Sequence, residues 1–133
     1  NGFDVFVTRA DHYAPTVGFM IKGSKTIGYA ADGTYYKGQE KYLSDCDILI
    51  LNVLVPSGKK SEPHRHMSVD DAIKMVKQIK NKPRLIVIQH FSFWMLRANV
   101  YAQAKIIEKG TGIKTIAADD FMKIDLGTLK TSR

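Results

Sequence analysis

The chain has 133 residues, enough for one domain that buries a core without covalent staples. A single cysteine, Cys46, excludes an intrachain disulfide, and no apolar run approaches the ~20 residues of a membrane-spanning helix. Lys and Arg number 20 against 13 acids, a net charge of +7 that favours anionic partners such as nucleic acid or phosphorylated metabolites. The lysines are scattered, however, through turns and helix faces in "KGSK", "SGKK" and "KQIKNKPR". Cysteine usage and the lack of a signal-peptide pattern in "NGFDVFVT" predict a cytoplasmic protein. The start on Asn1 rather than Met predicts that residues precede it.

Period-two and continuous apolar runs alternate with helical patterns along the chain. "DVFVTRA" reads as a strand, and "TVGFMIKGSKTIGYA" as a hairpin turning at Lys22 to Lys25. "DILILNVLV" has the Ile/Leu/Val density of a buried strand, with Cys46 at its mouth as a small hydrophobe. The polar loop "PSGKKSEPHRH" follows. Ser68, with Asp71 three residues later, predicts a capped helix to about Lys80, and Val69, Ala72, Ile73, Val76 and Ile79 form its apolar stripe. Asn81 and Pro83 are expected to end it.

"RLIVIQ" reads as the next strand. A second helix is predicted over about Asn99 to Lys109, closed by Gly110 and Gly112, then a strand "KTIAA" and an extended "MKIDL". Strands first and then β-α-β-α-β imply an α/β (α+β) domain over residues 1–133. Its sheet is expected to be mixed, with a parallel section packed on helices and joined to an antiparallel hairpin.

All four histidines stand just past a predicted strand or just before a helix. His12 follows "VFVTRAD", His90 ends "LIVIQ", and Asp32 follows "TIGYA". In open α/β sheets, sites assemble beyond strand ends, so His12, Asp32 and His90 are candidates to meet in space. Imidazole and carboxylate suit a borderline cation such as zinc; any one of the three taken alone is more readily an ordinary loop residue. His66 precedes the capped helix, whose positive end attracts anions, and an imidazole there can hold a phosphate or pass a proton to a leaving oxygen. The alternative is a solvated histidine in a basic loop, and for His64 that alternative weighs more.

In order, "DHYAPTVGF", "GYAADGTYY", "CDILILNVL", "HMSVDDAIKMVKQIK", "LIVIQHFSF" and "IAADDFMKIDL" closely resemble the second half of metallo-β-lactamase-fold hydrolases, on the branch of ribonuclease Z and related phosphodiesterases. The most specific pieces are the His followed six residues later by Gly-Phe, the Asp after Gly-Tyr, the His-Met-Ser before a helix and the strand-terminal His-Phe-Ser.

The resemblance implies half of a four-layer αβ/βα sandwich. It implies that His12 is a ligand of one metal, that Asp32 bridges two, that His90 serves the second, and that His66 is a catalytic residue near the scissile phosphate. Ser92 lies beside the site without an assigned role. The implied cofactor is a pair of zinc ions in the complete domain, with manganese or iron as substitutes, and the implied reaction is two-metal hydrolysis of a phosphodiester or nucleic acid.

Two departures qualify this. Relatives commonly read Asp-Thr where this chain has Asp32-Gly33-Thr34, and the family's His-x-His-x-Asp-His motif occurs nowhere in the 133 residues. "HRHMSVDD" does not supply it, since Ser68 and Val69 stand where Asp and His are needed. The N-terminal half is therefore expected to be absent. These residues alone should bind metal weakly and not catalyse, and an uncovered sheet face should favour homo-oligomers or association with the missing half. The alternatives are thioester or lactone hydrolysis on the same fold, or a non-catalytic nucleic-acid-binding module using the positive charge and Tyr35, Tyr36, Phe93 and Trp94.

Overall fold

The computed structural model describes residues 2–60 and 65–133, so His64 lies outside the described residues. Six strands form one mixed sheet in the order β1-β2-β3-β4-β5-β6. They are β1 (Asp4–Arg9), β2 (Val17–Lys22), β3 (Thr26–Ala30), β4 (Ile48–Asn52), β5 (Leu85–Gln89) and β6 (Thr115–Ala117). The first three pair antiparallel and the last three pairings are parallel. The parallel pairings need crossovers. These carry the helices α1 (Gln39–Tyr42), α2 (Val69–Gln78), α3 (Phe93–Arg97) and α4 (Val100–Thr111). No helix among the described residues is long and apolar enough to cross a membrane.

Alternation along the strands sends side chains to two faces. Met20, Ala30, Leu49, Leu51, Ile86, Ile88 and Ala117 bury one face against Ala72, Met75 and Val76 of α2 and Ala104 and Ile107 of α4. Ile48, Leu85 and Val87 point the other way. There Leu129 and Ile124 cover them from a hairpin of β7 (Lys123–Ile124) and β8 (Thr131–Ser132), a separate two-stranded sheet. The extended "MKIDL" thus pairs with β8 and does not join the main sheet. The cluster under the hairpin takes in residues of β3, β4, β5 and β6, and none of β1 or β2 among the described residues. By register, Val5 and Val7 of β1 share the side of Ile27 and Ile50, and both are exposed (49% and 66%).

The expected caps are present with shifted ends. Ser68 accepts from the Asp71 N–H at 3.0 Å, and its own N–H donates to the Asp71 carboxylate at 3.2 Å, a complete capping box. The helix stops at Gln78, short of Lys80, because the Lys82 ammonium folds back onto the terminal carbonyls of Val76, Lys77 and Ile79 at 3.0, 3.1 and 2.9 Å. Gly110 does not close α4. It lies inside the helix, where a Cβ would come within 2.9 Å of Ile73 on α2, and the stop is Gly112 at φ 75°.

Cys46 is the buried hydrophobe its setting implies. Its thiol donates to the Leu43 carbonyl at 3.2 Å, and burial pushes it up to about 12. The short α1 was not evident from sequence. It packs through buried Glu40, whose carboxylate accepts from the Tyr35 hydroxyl (3.2 Å) and the Gly38 N–H (3.0 Å). Burial alone would raise the Glu40 carboxyl; donors from its own N–H, Gly38 and Tyr35 outweigh it and hold the group below the usual range.

Candidate metal centre

Because β1 and β3 both run antiparallel to β2, the strands β1, β3, β4, β5 and β6 share a direction and end on one edge of the sheet. His12, Asp32 and His90 all lie in loops leaving that edge. Three devices aim them.

Asp32 is held beside His12 by the Thr34 N–H donating to the Asp11 carbonyl at 2.9 Å. Gly33 makes that approach possible, with φ 147° and a hypothetical Cβ only 2.6 Å from the same oxygen. His66 is aimed by the chain that follows it. The Leu54 N–H donates to Met67 O at 3.0 Å, the Val69 N–H donates to Val55 O at 2.9 Å, and Val55 and Ser68 form a parallel bridge. His90 follows β5 directly, where Gln89 is tied to β4 by Nε2 donating to Asn52 Oδ1 at 3.0 Å. His90 itself sits at φ 60°, a left-handed conformation uncommon for a non-glycine residue and frequent at functional sites.

The result is one carboxylate surrounded by three imidazoles. From Asp32 Oδ1, His66 Nδ1 lies 2.8 Å away; from Oδ2, His90 Nε2 lies 3.3 Å and His12 Nε2 3.6 Å away. His12, Asp32 and His66 each offer one ligand atom with all three atoms within 4.8 Å of one another. The His12 and His66 rings are 5.3 Å apart. The expected trio of His12, Asp32 and His90 does converge, and His66 joins it more tightly than His90, whose side chain is 52% exposed. His66 therefore turns its Nδ1 to Asp32, while the helix end behind it is filled by the Ser68 and Asp71 cap.

These donors fit a borderline divalent cation. Imidazole nitrogen and carboxylate oxygen are its preferred ligands, and their spacing is that of atoms around one ion. His12 Nδ1 is also buried without a hydrogen-bond partner among the described residues, so protein atoms described here leave the ring unsatisfied.

Around the donors, Arg65 pairs with Asp11 at 3.4 Å and covers the Tyr13 ring at 5.0 Å. Sequence reasoning passed over Asp11, Tyr13 and Arg65; their adjacency to His12 and His66 was the available signal. Ser92, unassigned before, caps α3 by accepting from the Met95 N–H at 3.2 Å and donates its hydroxyl to the Leu54 carbonyl.

The fold, with its edge of imidazoles around a carboxylate, is that of a metallo-β-lactamase-fold protein. The chain belongs to the beta-lactamase superfamily: the family model described as "Beta-lactamase superfamily domain" matches residues 1–91. It is 30% identical over 112 residues to a metal-dependent hydrolase of Nanoarchaeum equitans, covering 82% of this chain and 47% of that protein. Its fold is similar to the metallo-β-lactamase fold protein YhfI from Bacillus subtilis, with TM-score 0.76, 18% identity and coverage of 88% and 47% of the two chains. It is also similar to the short form of human tRNase Z, with TM-score 0.68, 22% identity and coverage of 93% and 43%. The chain spans less than half the length of the curated relatives it matches.

Proposed function

We propose that these residues form one side of a divalent-metal hydrolase centre acting on phosphodiesters, with His12, Asp32, His66 and His90 as its side chains. The observation that carries this reading is the convergence of three imidazoles on Asp32 at the edge where the parallel strands end. The hydrolase name of the Nanoarchaeum relative supports the class. The net charge of +7 and the likeness to tRNase Z favour a phosphodiester over a thioester or lactone.

His12, Asp32 and His90 would hold the metal, zinc by their donor chemistry and two ions in the complete domain, with His66 beside them on Asp32. A bound divalent cation supplies Lewis-acid stabilisation of charge on the phosphoryl oxygens and a nucleophile at neutral pH. Asp32 places one negative charge against the cations and orients His66 through Oδ1. His66, with Nδ1 committed to Asp32, keeps Nε2 to hold a phosphoryl oxygen or give a proton to the leaving oxygen. The exposed sheet side of Val5 and Val7 would receive the half that carries His-x-His-x-Asp-His, from outside these 133 residues.

The test is hydrolysis of bis(p-nitrophenyl) phosphate, against a thioester, by the chain together with a segment carrying that motif. Metal-dependent phosphodiester cleavage that Asp32→Ala abolishes supports the reading. Cleavage of the thioester alone overturns the substrate class, and no cleavage with no metal uptake overturns the enzyme.

A further inference from the structure

A second feature of the same edge is not used by the metal centre. Helix α3 begins three residues after His90. Its cap is Ser92 and its buried anchor is Met95, which turns Phe93 and Trp94 outward, 68% and 49% exposed. With Pro56, Lys59, Arg97 and Ala98 they line a cleft of about 470 Å³. The Arg97 guanidinium lies 5.6 Å from the centre of the Phe93 ring. The cleft therefore offers two aromatic surfaces and two cations, and no acid among its described lining residues.

Its two walls are the segments that carry site histidines. Lys59 stands on the loop leading to His66, and Phe93 follows His90 so closely that their Cα atoms lie within about 11 Å, the reach of three extended residues. Flat apolar rings beside fixed positive charge select a ligand that is both aromatic and anionic. Aromatic rings stack a base of any identity, and arginine adds cation–π attraction and a phosphate contact.

We propose that this cleft is a nucleotide subsite, holding the base and a flanking phosphate of the substrate next to the metal centre. It deepens, and rests on, the phosphodiesterase reading. The base stacks on Phe93 and Trp94, and Lys59 and Arg97 take the phosphate that is not cut.

Trp94 is the only tryptophan of the chain, so its fluorescence reports this cleft directly. The full chain, stripped of metal with EDTA, is titrated with adenosine 5′-monophosphate, ribose 5-phosphate and adenosine. Saturable quenching by the nucleotide, absent with ribose 5-phosphate and weaker with adenosine, supports the subsite. So does at least a tenfold loss of nucleotide affinity in Phe93→Ala and in Arg97→Ala with zinc uptake unchanged. No saturable quenching, an equal response to ribose 5-phosphate, or unchanged affinity in both variants overturns it. A concentration-dependent blue shift of Trp94 that nucleotide does not alter means that a second copy covers the cleft, and also overturns it. Because the titration is metal-free, nucleotide binding without phosphodiester cleavage sinks the catalytic reading alone, whereas cleavage without nucleotide binding sinks only the subsite.

Discussion

Asp32 and His66 stand 34 positions apart in the chain and 2.8 Å apart in space, Oδ1 to Nδ1. The contact spans β4 and its crossover loop, and it makes Asp32 the common partner of every site histidine described. His66 is the shorter and less exposed of the two later contacts; His90 is the longer and more exposed. Zinc affinity measured by competition with a chromogenic chelator should therefore fall in His66→Ala as well as in His90→Ala. A loss of about 10-fold or more is expected for His66→Ala, the scale of removing an orienting partner.

Gly33→Ala should disorganise the centre without touching a ligand. The new Cβ meets the Asp11 carbonyl oxygen at 2.6 Å, and a φ of 147° is strained for any L side chain. Urea denaturation should show a loss of about 1–3 kcal/mol, accompanied by weaker zinc uptake.

Ser68 connects helix α2 to the site. Ser68→Ala removes the hydroxyl half of the capping box, leaving the backbone N–H at position 68 to donate to Asp71, and should cost about 1 kcal/mol, while Ser68→Gly should cost only a few tenths. The denaturation midpoints of the two variants give the comparison.

Cys46 should make the fold alkali-sensitive. An unburied thiol ionises near 9.0, whereas burial holds Cys46 to about 12. Above pH 9 the unfolded chain therefore binds fewer protons than the folded one, and stability falls as pH rises between the two values, by up to about 1.4 kcal/mol per pH unit. Cys46→Ala should flatten that part of the stability profile. In the folded protein at neutral pH, the thiol should resist dithionitrobenzoate until urea exposes it.

Much of the sheet was legible because its strands are dense in Val, Ile and Leu, and α2 because Ser68 and Asp71 announce its start. His12, Asp32 and His90 were legible as strand-end residues, since the parallel section brings such ends to one edge. The rest depends on contacts that no local pattern encodes. Gly110 looks like a stop signal but serves the approach of Ile73. Helix α2 ends early because Lys82 doubles back. The β7–β8 hairpin has two-residue strands and a turn tied by Asp125, which accepts from the Thr128 N–H and hydroxyl at 2.7 Å each. The left-handed backbone of His90 and the pairing of His66 with Asp32 are set by the loops around them, so the tighter grouping of His66 emerged only in three dimensions.

The most direct measurement is a zinc titration followed by the imidazole signals in 15N NMR spectra of the chain and of Asp32→Asn. His12, His66 and His90 are expected to respond together at one zinc concentration, and the variant, folded by circular dichroism, to lose this joint response. Three responses at unrelated concentrations, or a joint response that persists in Asp32→Asn, would contradict it.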